Sequence, residues 1–223
     1  MNVSDAVKQR ISTRAFTDAP VSEDTVREIL ETARWSPSGG NLQPWKVHIV
    51  MGEGRARFLN AIEDSFKTAA LGETPQIAIY PPKLGEPYRT RRFEVGEAMY
   101  EKLGIPREDK PARLVWLKNN FSLFGAPVGL FFSIDKQFDR GQWAHLGMFL
   151  QTIALVAQEQ GLGTCMQECW ATRVETISKF FNLSDDEQFY CGMALGVPDL
   201  NHAVNHVRSS RAEIDEFTSF VME

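Results

Sequence analysis

Residues 128–135 read VGLFFSID. The run is continuously apolar rather than alternating, the pattern of a central strand buried on both faces. A second such run, QFYCGMALGVP (188–198), reads the same way, and WKVHIVM (45–51) is a β-rich run that stops at Gly52. Between the two central runs lies GQWAHLGMFLQTIALVAQEQGLG (141–163), a strongly apolar helix that Gly161 closes in the C′ role. A short helix running to about Gln9 is expected under a Ser4 cap. Pro20 and Ser22 open a second, in which Val26, Ile29, Leu30 and Ala33 form a buried stripe at i, i+3, i+4, i+7 before the chain breaks at SPSGG. Residues 53–71 and 173–182 also read as helical. Helices flank these strands without alternating regularly with them, so the fold class is α+β rather than a doubly wound sheet.

The chain's 223 residues, 43% hydrophobic and 24% charged, suit one globular domain with a proper core. No internal repeat or linker divides it, so residues 1–223 are read as a single domain. A net charge of −5 argues against a nucleic-acid partner. No apolar run approaches the roughly 20 residues of a membrane span. MNVSDAVKQR (1–10) lacks the apolar segment of a signal peptide, so a cytoplasmic location is expected. Three cysteines, Cys165, Cys169 and Cys191, imply no disulfide framework, and with no histidine cluster beside them no metal is expected. Buried thiols are the plain reading, and Cys165 as a nucleophile a weaker one. The stretch 74–87 carries prolines at 75, 81, 82 and 87 and reads as a loop. It leads into a charged helical region, 91–120, interrupted near Gly104–Pro106, and 74–120 together is a candidate lid. The tail, 199–223, ends in FTSFVME, whose apolar residues need a surface to cover, as when a tail reaches across to a partner subunit. GxGxxG, P-loop, GxSxG and HExxH motifs are absent.

Residues 10–16 read RISTRAF. In an extended chain Arg10, Ser12 and Arg14 point the same way. A solvated face opposite a buried Ile11 is the plain reading of two cations and a hydroxyl in line, and a bound anion the sharper one.

Four separated segments together resemble the flavin-dependent nitroreductase family: R-x-S-x-R-x-F (10–16), SPSGGNLQPW (36–45), GLGTCMQECW (161–170), and MALGVPD (193–199) followed by Asn205, Arg208 and Arg211. FGAPVGLFF and LGMFLQ add a likeness to its nitrobenzoate-reductase-like branch. The resemblance implies a nitroreductase-like fold, a central, mostly antiparallel sheet flanked by helices, in an intertwined homodimer with FMN at the interface. It implies NADH or NADPH as donor, a nitroaromatic or quinone-like acceptor, and ping-pong turnover through flavin N5 with no obligatory catalytic side chain. It assigns Arg10, Ser12 and Arg211 to the FMN phosphate end. Arg208 joins them if 208–211 is helical, since i and i+3 share a face. Arg14 falls near N1 and O2, where a fixed cation stabilises the reduced ring. Met166, Gln167 and Glu168 match the strand end whose backbone N–H meets N5. Pro37, Ser38 and Gly39 form a turn passing close to the ring, and Asn41 and Gln43 offer amides to the pyrimidine edge or ribityl chain. Trp45 reads as core. In PYRTRRF (87–93), Arg89, Arg91 and Arg92 are a solvated helix start or a binding element for an acidic aromatic substrate. Reductive dehalogenation, flavin fragmentation and flavin binding without turnover are the competing functions.

Overall fold

In the computed structural model, which describes residues 1–222, seven helices and four strands lie among the described residues. In chain order they are α1 (Val3–Gln9), α2 (Glu23–Ala33), β1 (Trp45–Met51), α3 (Gly52–Thr68), α4 (Tyr88–Lys102), α5 (Lys110–Lys118), β2 (Val128–Asp135), α6 (Arg140–Glu159), β3 (Gly163–Gln167), α7 (Val174–Phe181) and β4 (Glu187–Gly196). The strands form one sheet in the order β1-β2-β4-β3, every pairing antiparallel. The fold class is therefore α+β, as the irregular alternation of helices and strands implied.

β2 is continuously apolar because helices cover both sides of the sheet. Leu130, Phe132 and Ile134 pack with Val26, Ile29 and Ala33 of α2 and Leu146, Phe149, Leu150 and Ile153 of α6. Phe131 faces the other way, toward Phe58 and Ile62 of α3, Trp170, and Ile177 of α7. Burial of this kind contributes about 1.5–3 kcal/mol per large side chain, offset by ordering the chain. Trp45 stacks on Phe149 at 4.6 Å between ring centroids and belongs to the first core, as expected.

β4 carries one irregularity with consequences for the site. Phe132 pairs with Cys191 but Ser133 pairs with Phe189, so Tyr190 is an extra residue in β4. Across a β-bulge side-chain parity flips. Cys191 accordingly joins the α2/α6 core while Phe189, two residues back, joins the α3/α7 core.

α6 ends as the sequence predicts. Gly161 has φ +75°, Leu162 N–H donates to Ala157 O at 2.8 Å, and Gly161 N–H donates to Gln158 O at 3.1 Å, a Schellman closure. Ser22 caps α2, its Oγ accepting from Thr25 N–H at 3.0 Å. The first helix differs from expectation. Its cap is Asn2, whose Oδ1 accepts from Asp5 N–H at 2.9 Å, not Ser4. Asn caps as well as Ser, and capping earlier lets Ser4 join the first turn.

The 10–16 stretch is extended, and it lies along the outer edge of β3. Ser12 bridges Thr164 in parallel, Thr13 N–H donates to Thr164 O at 2.9 Å, and Phe16 bridges Pro198. The fully buried residue of the stretch is Thr13, 1% exposed, whereas Ile11 is only partly covered. Gly163 explains this: a Cβ there would lie 2.9 Å from Thr13 Cβ. The 74–87 stretch holds no helix or strand, and α4 then folds back on the 208–216 segment, where Arg91 pairs with Glu216 at 2.8 Å.

Candidate active site

Two cavities meet at Arg14. The first, about 430 Å³, is lined by Arg10, Ser12, Arg14, Arg208, Ser209 and Arg211 among others. None of these four arginines forms an ion pair among the described residues. Arg211 Nη1 donates only to Ser209 and Ser210, and Arg208 Nη1 only to the carbonyls of Asn205 and Val207. Arg10 Nε is buried with no hydrogen-bond partner. Burial, then the facing Arg211 charge, push the Arg10 pKa down. A buried guanidinium donor lacking an acceptor, beside a second cation, is a cost that a polyanionic group removes. The 208–211 stretch is not helical, contrary to the condition placed on it. Both arginines nonetheless line the cavity.

Asn205, 3% exposed, sets the backbone of this cradle. Its Oδ1 accepts from Arg14 N–H at 2.8 Å, and its Nδ2 donates to Ala15 O and Asp199 O, both at 2.8 Å.

The second cavity, about 520 Å³, joins Arg14 to Met166, Gln167, Glu168 and Tyr190, to Tyr80, Arg92, Met99 and Trp116 of the candidate lid, and to Phe124. The Gln167 side chain is 2% exposed and already engaged, donating to Asn120 O at 2.8 Å and accepting from Trp170 Nε1 at 3.2 Å. Its backbone, not its amide, is what remains to meet a ligand. Tyr190 Oη donates to Glu168 Oε1 at 3.1 Å. Sequence reasoning missed Tyr190, because a bulge depends on the register of a partner strand. Cys169 and Cys191 also line this cavity, but burial pushes the Cys169 thiol up to about 12 and the Cys191 thiol up as well. Cys165 is buried and likewise shifted up, against the opposing pull of Arg14 and Arg10. No thiolate nucleophile is available near neutral pH.

Pro37, Ser38, Gly39, Asn41 and Gln43 line neither cavity of their own chain. Their turn is held against α6, Gly39 N–H donating to His145 Nε2 at 3.2 Å. Gly40, Asn41 and Gln43 all have positive φ, near 59°, 55° and 48°. Two local bonds hold this shape: Gln43 N–H to Ser38 Oγ at 3.0 Å and Gln43 Nε2 to Asn41 O at 3.2 Å. Left-handed non-glycine residues cost about 1–3 kcal/mol each and collect at ligand-binding turns.

Of the three arginines in PYRTRRF, Arg89 pairs with Glu86 and Arg91 with Glu216, while Arg92 alone lines the second cavity. Elsewhere, Ser133, His48 and Glu187 cluster on the sheet. Ser133 is fully buried and its Oγ donates to Glu187 Oε2 at 2.6 Å, so it is no hydrolytic triad. Among the described residues no helix is long and apolar enough to cross a membrane.

The sequence matches the nitroreductase family model over residues 7–197. It is 36% identical over 221 residues to a nitrobenzene nitroreductase of Ectopseudomonas oleovorans, covering 99% of this chain and 97% of that one. It is 35% identical to a 4-nitrobenzoate reductase of Pseudomonas putida, covering 96% and 93%. Its structure superposes on an FMN and NADPH-dependent nitroreductase of Sphigopyxis sp. strain HMH with a TM-score of 0.96, at 39% identity and with both chains fully covered. The arginine cradle, the four-stranded sheet and these full-length likenesses agree: the chain belongs to the nitroreductase family.

Proposed function

We propose that the protein is an FMN-dependent NAD(P)H oxidoreductase that reduces nitroaromatic acceptors and works as a homodimer. The observation that carries this reading is the cradle of Arg10, Arg208 and Arg211, with Arg10 Nε buried and unpartnered. Its donor set fits a phosphate monoester, which brings close to two negative charges and oxygens that accept bidentate N–H pairs. Bound FMN supplies the hydride-accepting and hydride-donating centre that links donor to acceptor.

The chain's own residues do the rest. Arg10, Ser12, Arg208 and Arg211 hold the phosphate end. Arg14, shared by both cavities, puts a permanent cation at the inner wall of the second and stabilises negative charge that develops there. Backbone N–H groups along Met166, Gln167 and Glu168 supply donors without a titrating side chain. The Pro37–Ser38–Gly39 turn, with Asn41 and Gln43, closes the site from the second subunit, and the tail 199–223 embraces that subunit. The second cavity takes donor and acceptor in turn, so the kinetics are ping-pong. Protons come from water, because burial and the neighbouring Glu168 carboxylate push the Tyr190 hydroxyl up and burial does the same to the two lining thiols.

The test is anaerobic. Protein incubated with FMN and passed through a desalting column should stay yellow, bleach with NADPH or NADH, and regain colour with nitrobenzene, yielding the hydroxylamine or amine. Colourless protein after desalting, or colour that neither nicotinamide bleaches, would remove the reading.

A further inference from the structure

Arg92 differs from its neighbours in what it touches. Arg89 is held by Glu86 at 2.6 Å and Arg91 by Glu216 of the tail at 2.8 Å, so both charges already have carboxylate partners. Arg92 has no carboxylate partner among the described residues. Its guanidinium carbon lies 4.1 Å from the centre of the Tyr80 ring, and both residues line the second cavity. The ring holds the guanidinium as a cation and takes none of its N–H groups into an ion pair. The guanidinium N–H donors lie in the plane, at the edges, and stay free to fork an anion.

The surrounding walls select the rest of the ligand. Trp116, Phe124 and Met99 give the cavity apolar and aromatic sides. The one lining carboxylate, Glu168, already accepts from Tyr190 Oη. A ligand entering here meets a cation stacked on an aromatic ring at the lid and flat apolar surface beyond it.

We propose that Arg92, oriented by Tyr80, is a specificity-determining residue, and that the preferred acceptors are aromatic nitro compounds carrying a carboxylate or similarly compact anion on the ring. This rests on the function proposed above. The relatives include reductases named for a neutral and for a carboxylated nitroarene, so family membership alone does not choose between them. The anion of the donor's phosphates is the other chemistry a free arginine could meet, and the test separates the two.

The FMN-loaded full chain and its Arg92→Ala and Arg92→Lys variants are compared by stopped flow. Reduction by NADPH is followed separately from reoxidation by 4-nitrobenzoate and by nitrobenzene. Arg92→Ala should lower the 4-nitrobenzoate to nitrobenzene ratio of second-order reoxidation constants roughly 10- to 100-fold, the range of a lost charge-assisted bidentate contact. Arg92→Lys, which keeps charge but not the fork, should recover part of it. Calorimetric titration with benzoate should weaken by the same factor, and with benzamide it should not. An unchanged ratio, or a loss confined to the NADPH step, overturns the proposal. The benzoate titration depends on no turnover. A wild-type protein that fails to oxidise NAD(P)H but binds benzoate through Arg92 would therefore sink the function and leave this site standing.

Discussion

At the scale of single residues, both arginines of RISTRAF line the first cavity but only Arg14 also lines the second, so they should fail differently. Arg10 lies in the first cavity with an unpartnered Nε, pressed by burial and by Arg211. Removing it relieves a repulsion in the empty protein and deprives a phosphate of its fork. Arg10→Ala should weaken FMN binding by about 1.5–3 kcal/mol, measured by fluorescence titration, while the melting temperature of the FMN-free protein does not fall. Arg14→Ala should in addition lower the flavin midpoint potential and slow reduction by NAD(P)H, because the fixed cation at the second cavity is gone. Equal loss of FMN in both variants with an unchanged potential would show that the labour is not divided. Arg10, Ser12 and Arg14 were legible from the sequence because alternation along an extended chain is a local rule. Arg92 could not be told from Arg89 and Arg91 in the same way. The Glu86 that holds Arg89 is local, but the Glu216 that holds Arg91 lies 125 residues away, and the Tyr80 ring reaches Arg92 only through the fold of a loop without helix or strand.

At the scale of elements, long apolar runs announced themselves. β2 and β4, the α6 helix with its Gly161 closure and the α2 stripe all follow from burial patterns inside one element. The Tyr190 bulge was not legible, since it exists only relative to Ser133 and Phe132 on the neighbouring strand. The way RISTRAF is held is likewise a matter between elements. Gly163 on β3 leaves the space that buried Thr13 fills, and Thr13 N–H bonds the adjacent Thr164 carbonyl. A methyl at 163 must push Thr13 off the strand, and Arg10, Ser12 and Arg14 move with it. Gly163→Ala should cost about 1–3 kcal/mol by overpacking, read in a urea melt, and should reduce FMN retention. Gly141→Ala is the matched control: nothing lies within 4 Å of its added carbon, and it should cost neither stability nor FMN. Full FMN retention in a destabilised Gly163→Ala protein would show that the cradle does not depend on this seam.

At the scale of the whole molecule, the proposed homodimer divides the site between two chains. The 37–43 turn lines neither cavity of its own chain, yet it keeps two left-handed non-glycine residues, Asn41 and Gln43, a conformation that collects at ligand-binding turns. The tail leaves Phe220, Val221 and Met222 at least 75% exposed. Both features are resolved if a second copy of the chain brings its turn to this cradle and takes the tail on its surface, with FMN bound between the two. Binding and association are then one linked equilibrium: FMN tightens the dimer, and dilution below the dimer dissociation constant releases FMN. Mixed dimers make the sharpest form of the prediction. Arg10→Ala damages the cradle, and Asn41→Ala damages the turn. Each homodimer should then bind FMN poorly at both sites. In a heterodimer of the two, one site receives both lesions and the other receives an intact cradle from one subunit and an intact turn from the other. Differently tagged chains, co-expressed and purified through both tags, should therefore regain FMN in one of their two sites, read from flavin absorbance against protein. A site built within one chain allows no such rescue, because every site would carry one lesion or the other. Heterodimers as colourless as the two parents would place the turn and the cradle in the same subunit's site.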